Sequence, residues 1–72
     1  MQGSVLIYTH PDCGFSTSAR DDLIRNGIPY REIDLSVNPD AWKDVEKLTG
    51  GQRSTPVIVD GDNVTIGFNG IA

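Results

Sequence analysis

A single cysteine, Cys13, in a chain of 72 residues constrains the fold more than any other feature. Chains near this length bury only about 60% of the surface their unfolded form exposes, and many depend on disulfide staples or a structural metal. One cysteine closes no disulfide loop. One cysteine and one histidine supply only two of the soft ligands that a structural zinc uses. The core must therefore come from regular helices and strands, packed as one domain over residues 1–72.

Residues 4–9 form a short apolar, β-rich run that reads as a buried strand. His10, Pro11 and Asp12 interrupt it. Over residues 14–26 the pattern is helical, with Ala19, Leu23 and Phe15 on one face and Ile24 beside them. Asn26 and Gly27 close that helix, since both tolerate the left-handed conformation helix ends often need. Residues 28–35 alternate as a second strand. Asn38 is placed as an N-cap with Pro39 at the first helical position. The helix it opens carries Trp42, Val45 and Leu48 at three-residue spacing, and Gly50 and Gly51 stop it. Residues 56–59 make a third strand, 60–63 a hairpin turn with a favourable Asp-Gly pair, and 64–66 a fourth strand. At most one helical turn fits in residues 68–72.

This order is β-α-β-α-β-β. Strands separated by a helix usually pair in parallel through a right-handed crossover, whereas a hairpin adds an antiparallel pair. The sequence therefore predicts an α/β domain, with helices against a mixed four-stranded sheet and a truncated C-terminal helix.

Ten acidic residues against six basic ones give a formal charge of -4, which argues against a nucleic-acid binder. No apolar run is long enough for a membrane span. The first residues lack the basic-then-apolar pattern of a signal peptide, and an unpaired cysteine fits a reducing compartment. The expectation is a cytoplasmic protein that binds neither nucleic acid nor membrane.

Cys13 falls where the first strand gives way to the first helix. The early amides of a helix lack internal partners, and its dipole places partial positive charge there. A thiolate at that position is stabilised, and the cysteine pKa falls below its usual value of about 8.5. The segment from Cys13 through Gly14 and Phe15 to Ser16 has the spacing of a Cys-x-x-Cys redox motif, with serine in the second place. Serine can donate a hydrogen bond to a thiolate but cannot resolve a mixed disulfide, so two-thiol chemistry within the chain is excluded. A lone cysteine in a small domain is more often a buried, inert hydrophobe. The flanking Pro, Asp and Gly argue otherwise, being turn residues rather than core residues.

The segment from Ile7 to Ser16 resembles the start of glutaredoxins, and its Cys-Gly-Phe-Ser quartet is similar to the signature of the monothiol type. Residues 48–50, 52–59 and 67–68 are similar to the second half of that family. The resemblance covers roughly residues 4 to 69 and implies a thioredoxin-like fold. It implies Cys13 as nucleophile, supported by Gly14 and Ser16. It also implies a cis peptide bond at Thr55–Pro56 facing the cysteine; without it, Pro56 would read as a trans proline opening an edge strand. His10, Phe15, Arg53, Thr55, Pro56 and Asn69 are the implied glutathione contacts. The sequence departs from the family where His10 replaces a usual lysine, where Arg53 and Ser54 stand in place of a Trp-Pro pair, and where Phe68 and Asn69 follow Gly67. Asp12 opposes thiolate formation if it points towards the sulfur. Trp42 reads as core or groove-lining.

The resemblance implies a glutathione-linked thiol–disulfide oxidoreductase, using glutathione or another low-molecular-weight thiol. Its partners would be glutathionylated or disulfide-bearing proteins. The alternative it implies is a [2Fe-2S] carrier, a homodimer bridged by a cluster on two Cys13 thiolates and two external thiols.

Overall fold

Strand β1, Val5–Thr9, is the centre of the molecule because both of its faces are buried. A computed structural model of the chain describes residues 5–67. Side chains alternate across a strand, so Val5 and Ile7 turn to one side and Leu6 and Tyr8 to the other. Val5 and Ile7 pack with Ala19 and Leu23 of helix α1, Gly14–Arg25. Tyr8 packs with Leu35, Val45 and Val57 on the opposite face, beneath helix α2, Trp42–Thr49. Ile7, Val45 and Val57 are fully buried, and each such side chain contributes about 1.5–3 kcal/mol relative to exposure.

Strand β2, Tyr30–Asp34, pairs in parallel with β1, from Val5 opposite Tyr30 to Thr9 opposite Asp34. Strand β3, Val57–Asp60, lies antiparallel on the other side of β1, with Ile7 opposite Ile58. Strand β4, Asn63–Ile66, completes the hairpin and the sheet order β2-β1-β3-β4. The mixed four-stranded sheet is the one predicted. Gly61 sits in the hairpin turn at φ 61°, a conformation that side chains rarely adopt.

Two sequence expectations are corrected. The buried face of α1 is Ser16, Ala19 and Leu23, whereas Phe15 is 39% and Ile24 57% exposed. Each is one residue from that face, about 100° around the helix, and so turns outward. The second helix does not run unbroken from Pro39. A 3₁₀ turn, Pro39–Ala41, precedes α2, and the Asn38 side chain makes no capping bond. The Asn38 carbonyl instead accepts from Ala41 N at 3.0 Å. Trp42, Val45 and Leu48 do face the core as their spacing predicts. The truncated C-terminal helix expected over 68–72 lies outside the described residues.

Candidate active site

Cys13 is the N-cap of α1, with extended backbone dihedrals, φ -104° and ψ 107°. The chain arrives there through a turn closed by the Cys13 amide donating to the His10 carbonyl at 3.0 Å. It leaves as a helix, the Ser16 amide donating to the Cys13 carbonyl at 3.1 Å. This geometry leaves the Cys13 side chain half-buried beside the first amides of the helix.

Opposite it stands the loop before β3. The Thr55–Pro56 bond is cis, as the resemblance implies, and Pro56 is fully buried. The Cys13 thiol donates to the Thr55 carbonyl at 3.3 Å. The Pro56 carbonyl accepts from Gly67 N at 2.7 Å, which ties the loop to the end of β4.

Burial pushes the Cys13 thiol up, but the opposing contributions prevail and its pKa lies below the ordinary value. These are hydrogen bonds from the Thr55 and Ser16 side chains and from the backbone amides of Ser16 and Phe15. Each stabilises the charged form, which is the physical reason a thiolate forms here. Ser16 is 2% exposed. Its oxygen accepts from the His10 amide at 3.3 Å, so its own proton remains available to the sulfur.

His10 accepts at Nδ1 from the Asp12 amide at 3.1 Å. Its ring lies 6.2 Å from the Trp42 ring, tilted by 39°. The Asp12 carboxylate is 93% exposed and sits 3.8 Å from His10 Nδ1. The Arg53 guanidinium lies over the Trp42 ring, 5.3 Å from its centre. Its Nε donates to Glu46 at 3.0 Å.

The fold thus brings Cys13, Gly14, Ser16, Thr55 and Pro56 together, with His10 bonded to Cys13 and Ser16 through its backbone and Arg53 held against Trp42 and Glu46. The Phe15 amide faces the sulfur while its side chain is partly exposed. Asn69 and Phe68 lie outside the described residues. Sequence reasoning missed Glu46. The available signal was helical spacing, since Trp42, Glu46 and Thr49 recur at i, i+4 and i+7 on one stripe of α2. That stripe also holds the loop through Thr49, whose hydroxyl donates to Gln52 O at 2.7 Å and accepts from Gln52 N at 3.0 Å.

A cavity of ≈ 220 Å³ opens next to this centre, lined among others by Thr9, His10, Ser16, Arg20 and Glu32. The Thr9 hydroxyl donates to Glu32 at 2.7 Å, and Arg20 pairs with the same oxygen at 3.4 Å. Among the described residues no group of three or more His, Cys, Asp or Glu side chains is arranged to hold a metal. No helix among them is long and apolar enough to cross a membrane.

Comparison with known proteins places this chain among the glutaredoxins. Two proteins of Mycobacterium tuberculosis named as glutaredoxins, from strains CDC 1551 and H37Rv, are each 32% identical over 63 residues, covering 88% of this chain and 75% of theirs. The crystal structure of a glutaredoxin from Archaeoglobus fulgidus superposes with a TM-score of 0.82 at 25% identity, over 94% of this chain and 78% of the other. The glutaredoxin-like NrdH-redoxin of Escherichia coli, described as having a thioredoxin-like activity profile, gives 0.80 at 25% identity, over 93% and 86%. The glutaredoxin family model matches residues 5–64, most of the chain. With its fold and these matches in agreement, the chain belongs to the glutaredoxin family and is a glutaredoxin-like redox protein.

Proposed function

We propose that this chain is a monothiol, glutathione-linked thiol–disulfide oxidoreductase acting through Cys13 in the cytoplasm. The observation that carries the reading is a half-buried, lone thiol at a helix N-terminus, lowered in pKa by Thr55 and Ser16. The thiolate attacks the glutathionyl sulfur of a glutathionylated protein. The mixed disulfide of the substrate breaks, the protein thiolate leaves and takes a proton from solvent, and Cys13 becomes glutathionylated. Because Ser16 cannot resolve this adduct, a second glutathione thiolate must do so. It attacks the glutathione sulfur, releases glutathione disulfide and returns Cys13 as thiolate. The half-buried Thr55 beside Cys13 would offer backbone hydrogen bonds that orient the bound tripeptide, with His10 near one of its charged ends.

The test is turnover of a glutathionylated peptide with glutathione as the reductant. Release of the peptide thiol together with a Cys13–glutathione adduct, seen by mass spectrometry, is the expected result. No adduct at Cys13 would sink the reading.

A second reading, [2Fe-2S] binding, is favoured by the same lone and accessible thiolate. The chain's own described residues offer one cysteine and no metal-holding group around it. They do not complete a four-thiolate site, so a cluster would need a second chain and two external thiols. Anaerobic reconstitution with iron, sulfide and glutathione decides it. Charge-transfer bands co-eluting with a dimer support the carrier, and a colourless monomer removes it.

A further inference from the structure

The exchange chemistry assigns no task to Trp42, yet its ring lies near both the His10 ring and the Arg53 guanidinium. Arg53 is two residues upstream of Thr55, whose carbonyl touches the Cys13 sulfur. A long arginine on a loop ordinarily samples many rotamers, and ordering it on binding weakens affinity. Here two contacts restrain it. The guanidinium lies over the indole face, a cation–π arrangement, and its Nε–H is engaged by Glu46. The N–H groups on the two terminal nitrogens remain for solvent or a ligand, and the side chain is 63% exposed. Trp42 and Glu46 are one turn apart on α2, so one rigid helix sets both contacts.

We propose that Trp42 is a positioning residue, holding Arg53 as a ready clamp for the carboxylate of the incoming thiol. The substrate class this selects is carboxylate-bearing thiols over neutral ones of similar reactivity. The inference rests on the glutathione reading and adds to it the residue that determines thiol preference. It does not make Trp42 catalytic, because the hydrogen-bond partners of the sulfur are Thr55, Ser16 and Phe15 rather than the indole. Its effect is on KM rather than on the exchange step.

The experiment compares glutathione with neutral 2-mercaptoethanol as the reductant of the glutathionylated peptide, for the unaltered chain, Trp42→Leu and Trp42→Phe. Trp42→Leu should raise the KM for glutathione about three- to fivefold, the loss expected for an exposed cation–π contact. Its kcat and its rate with 2-mercaptoethanol should stay within about twofold of the unaltered chain, a margin well under 1 kcal/mol. Trp42→Phe, which keeps an aromatic face, should recover most of the KM. Equal slowing with both thiols, or no change with either, overturns the proposal.

Trp42 is the only tryptophan in the chain, which supplies a second readout needing no variant of it. In Cys13→Ser, which cannot form an adduct, emission should change on addition of glutathione but not of 2-mercaptoethanol, and Arg53→Gln should remove the change. Identical emission with the two thiols overturns the proposal even if Trp42→Leu fails to fold. Equal kcat/KM for both thiols in the unaltered chain would instead overturn the glutathione reading, and the emission contrast would then decide on Trp42 alone.

Discussion

The Cys13 sulfur lies 3.3 Å from the Thr55 carbonyl oxygen, although 42 residues separate them in the chain. This contact joins the two halves of the site. The first strand and helix supply the nucleophile, and the loop before β3 supplies the backbone against which a peptide-like thiol would lie.

Cys13→Ser should abolish peptide deglutathionylation and cluster assembly alike, because no second thiol exists to replace it. Retention of either activity in that variant, measured side by side with the unaltered chain, would contradict the role given to Cys13.

Ser16→Ala should shift the thiolate titration of Cys13, followed at 240 nm, to higher pH. The variant loses a hydrogen bond that stabilises the charged form. At neutral pH the exchange rate should drop about threefold, a modest figure because the half-exposed sulfur is partly screened by solvent. In the unaltered chain the thiol pKa is lowered on folding, so this group's stabilisation is present above the unfolded value and is lost as pH falls through the folded one. The exchange rate declines over the same fall in pH, since it follows the thiolate.

Ile7→Ala should cost about 2–5 kcal/mol, the range for emptying a fully buried aliphatic site. Ile7 has no exposed surface and sits on the central strand against α1. In a chain this short that corresponds to a fall in Tm of about 10 °C or more, measured by thermal circular dichroism. A shift of only a degree or two would mean that the core is not packed as described.

Asp34 gives a separate acid-side signal. Its carboxylate accepts from the Ser36 hydroxyl at 2.6 Å and the Ser36 amide at 2.9 Å, and these bonds hold its pKa below the ordinary carboxylate value. The contribution is present above the unfolded pKa of about 3.9 and disappears as pH falls through the lower folded value. Asp34→Asn should therefore lose stability relative to the unaltered chain near neutrality, and the gap should close in strong acid. Parallel urea melts at neutral pH and near pH 2 measure this; a gap independent of pH would exclude a role for the charge.

Much of the element order was legible because it depends on near neighbours. The continuous apolar run of residues 4–9 marked a buried strand, and three-residue spacing placed Val45 against the core. The Asp-Gly pair placed the hairpin turn. The same local logic failed at Phe15. Spacing alone grouped it with Ala19 and Leu23, but the helix is turned so that Ser16 meets the sheet. Which of two adjacent stripes faces inward depends on how the helix is docked, and that is not a local property. Asn38 failed for a related reason, since a 3₁₀ turn satisfied through its carbonyl replaced the side-chain cap.

By itself the sequence determined that a lone thiol stands at a strand-to-helix junction, that no second thiol can assist it, and that the core must be built from alternating strands and two helices. These follow from residue type and short-range spacing. Only the tertiary structure decided that β3 runs antiparallel beside β1. That pairing carries Thr55 to the sulfur and sets the loop with Arg53 against the Trp42–Glu46 stripe of α2. The reason is physical. Such contacts join segments tens of residues apart, and they form only when the burial of both faces of β1 fixes where the sheet and helices lie.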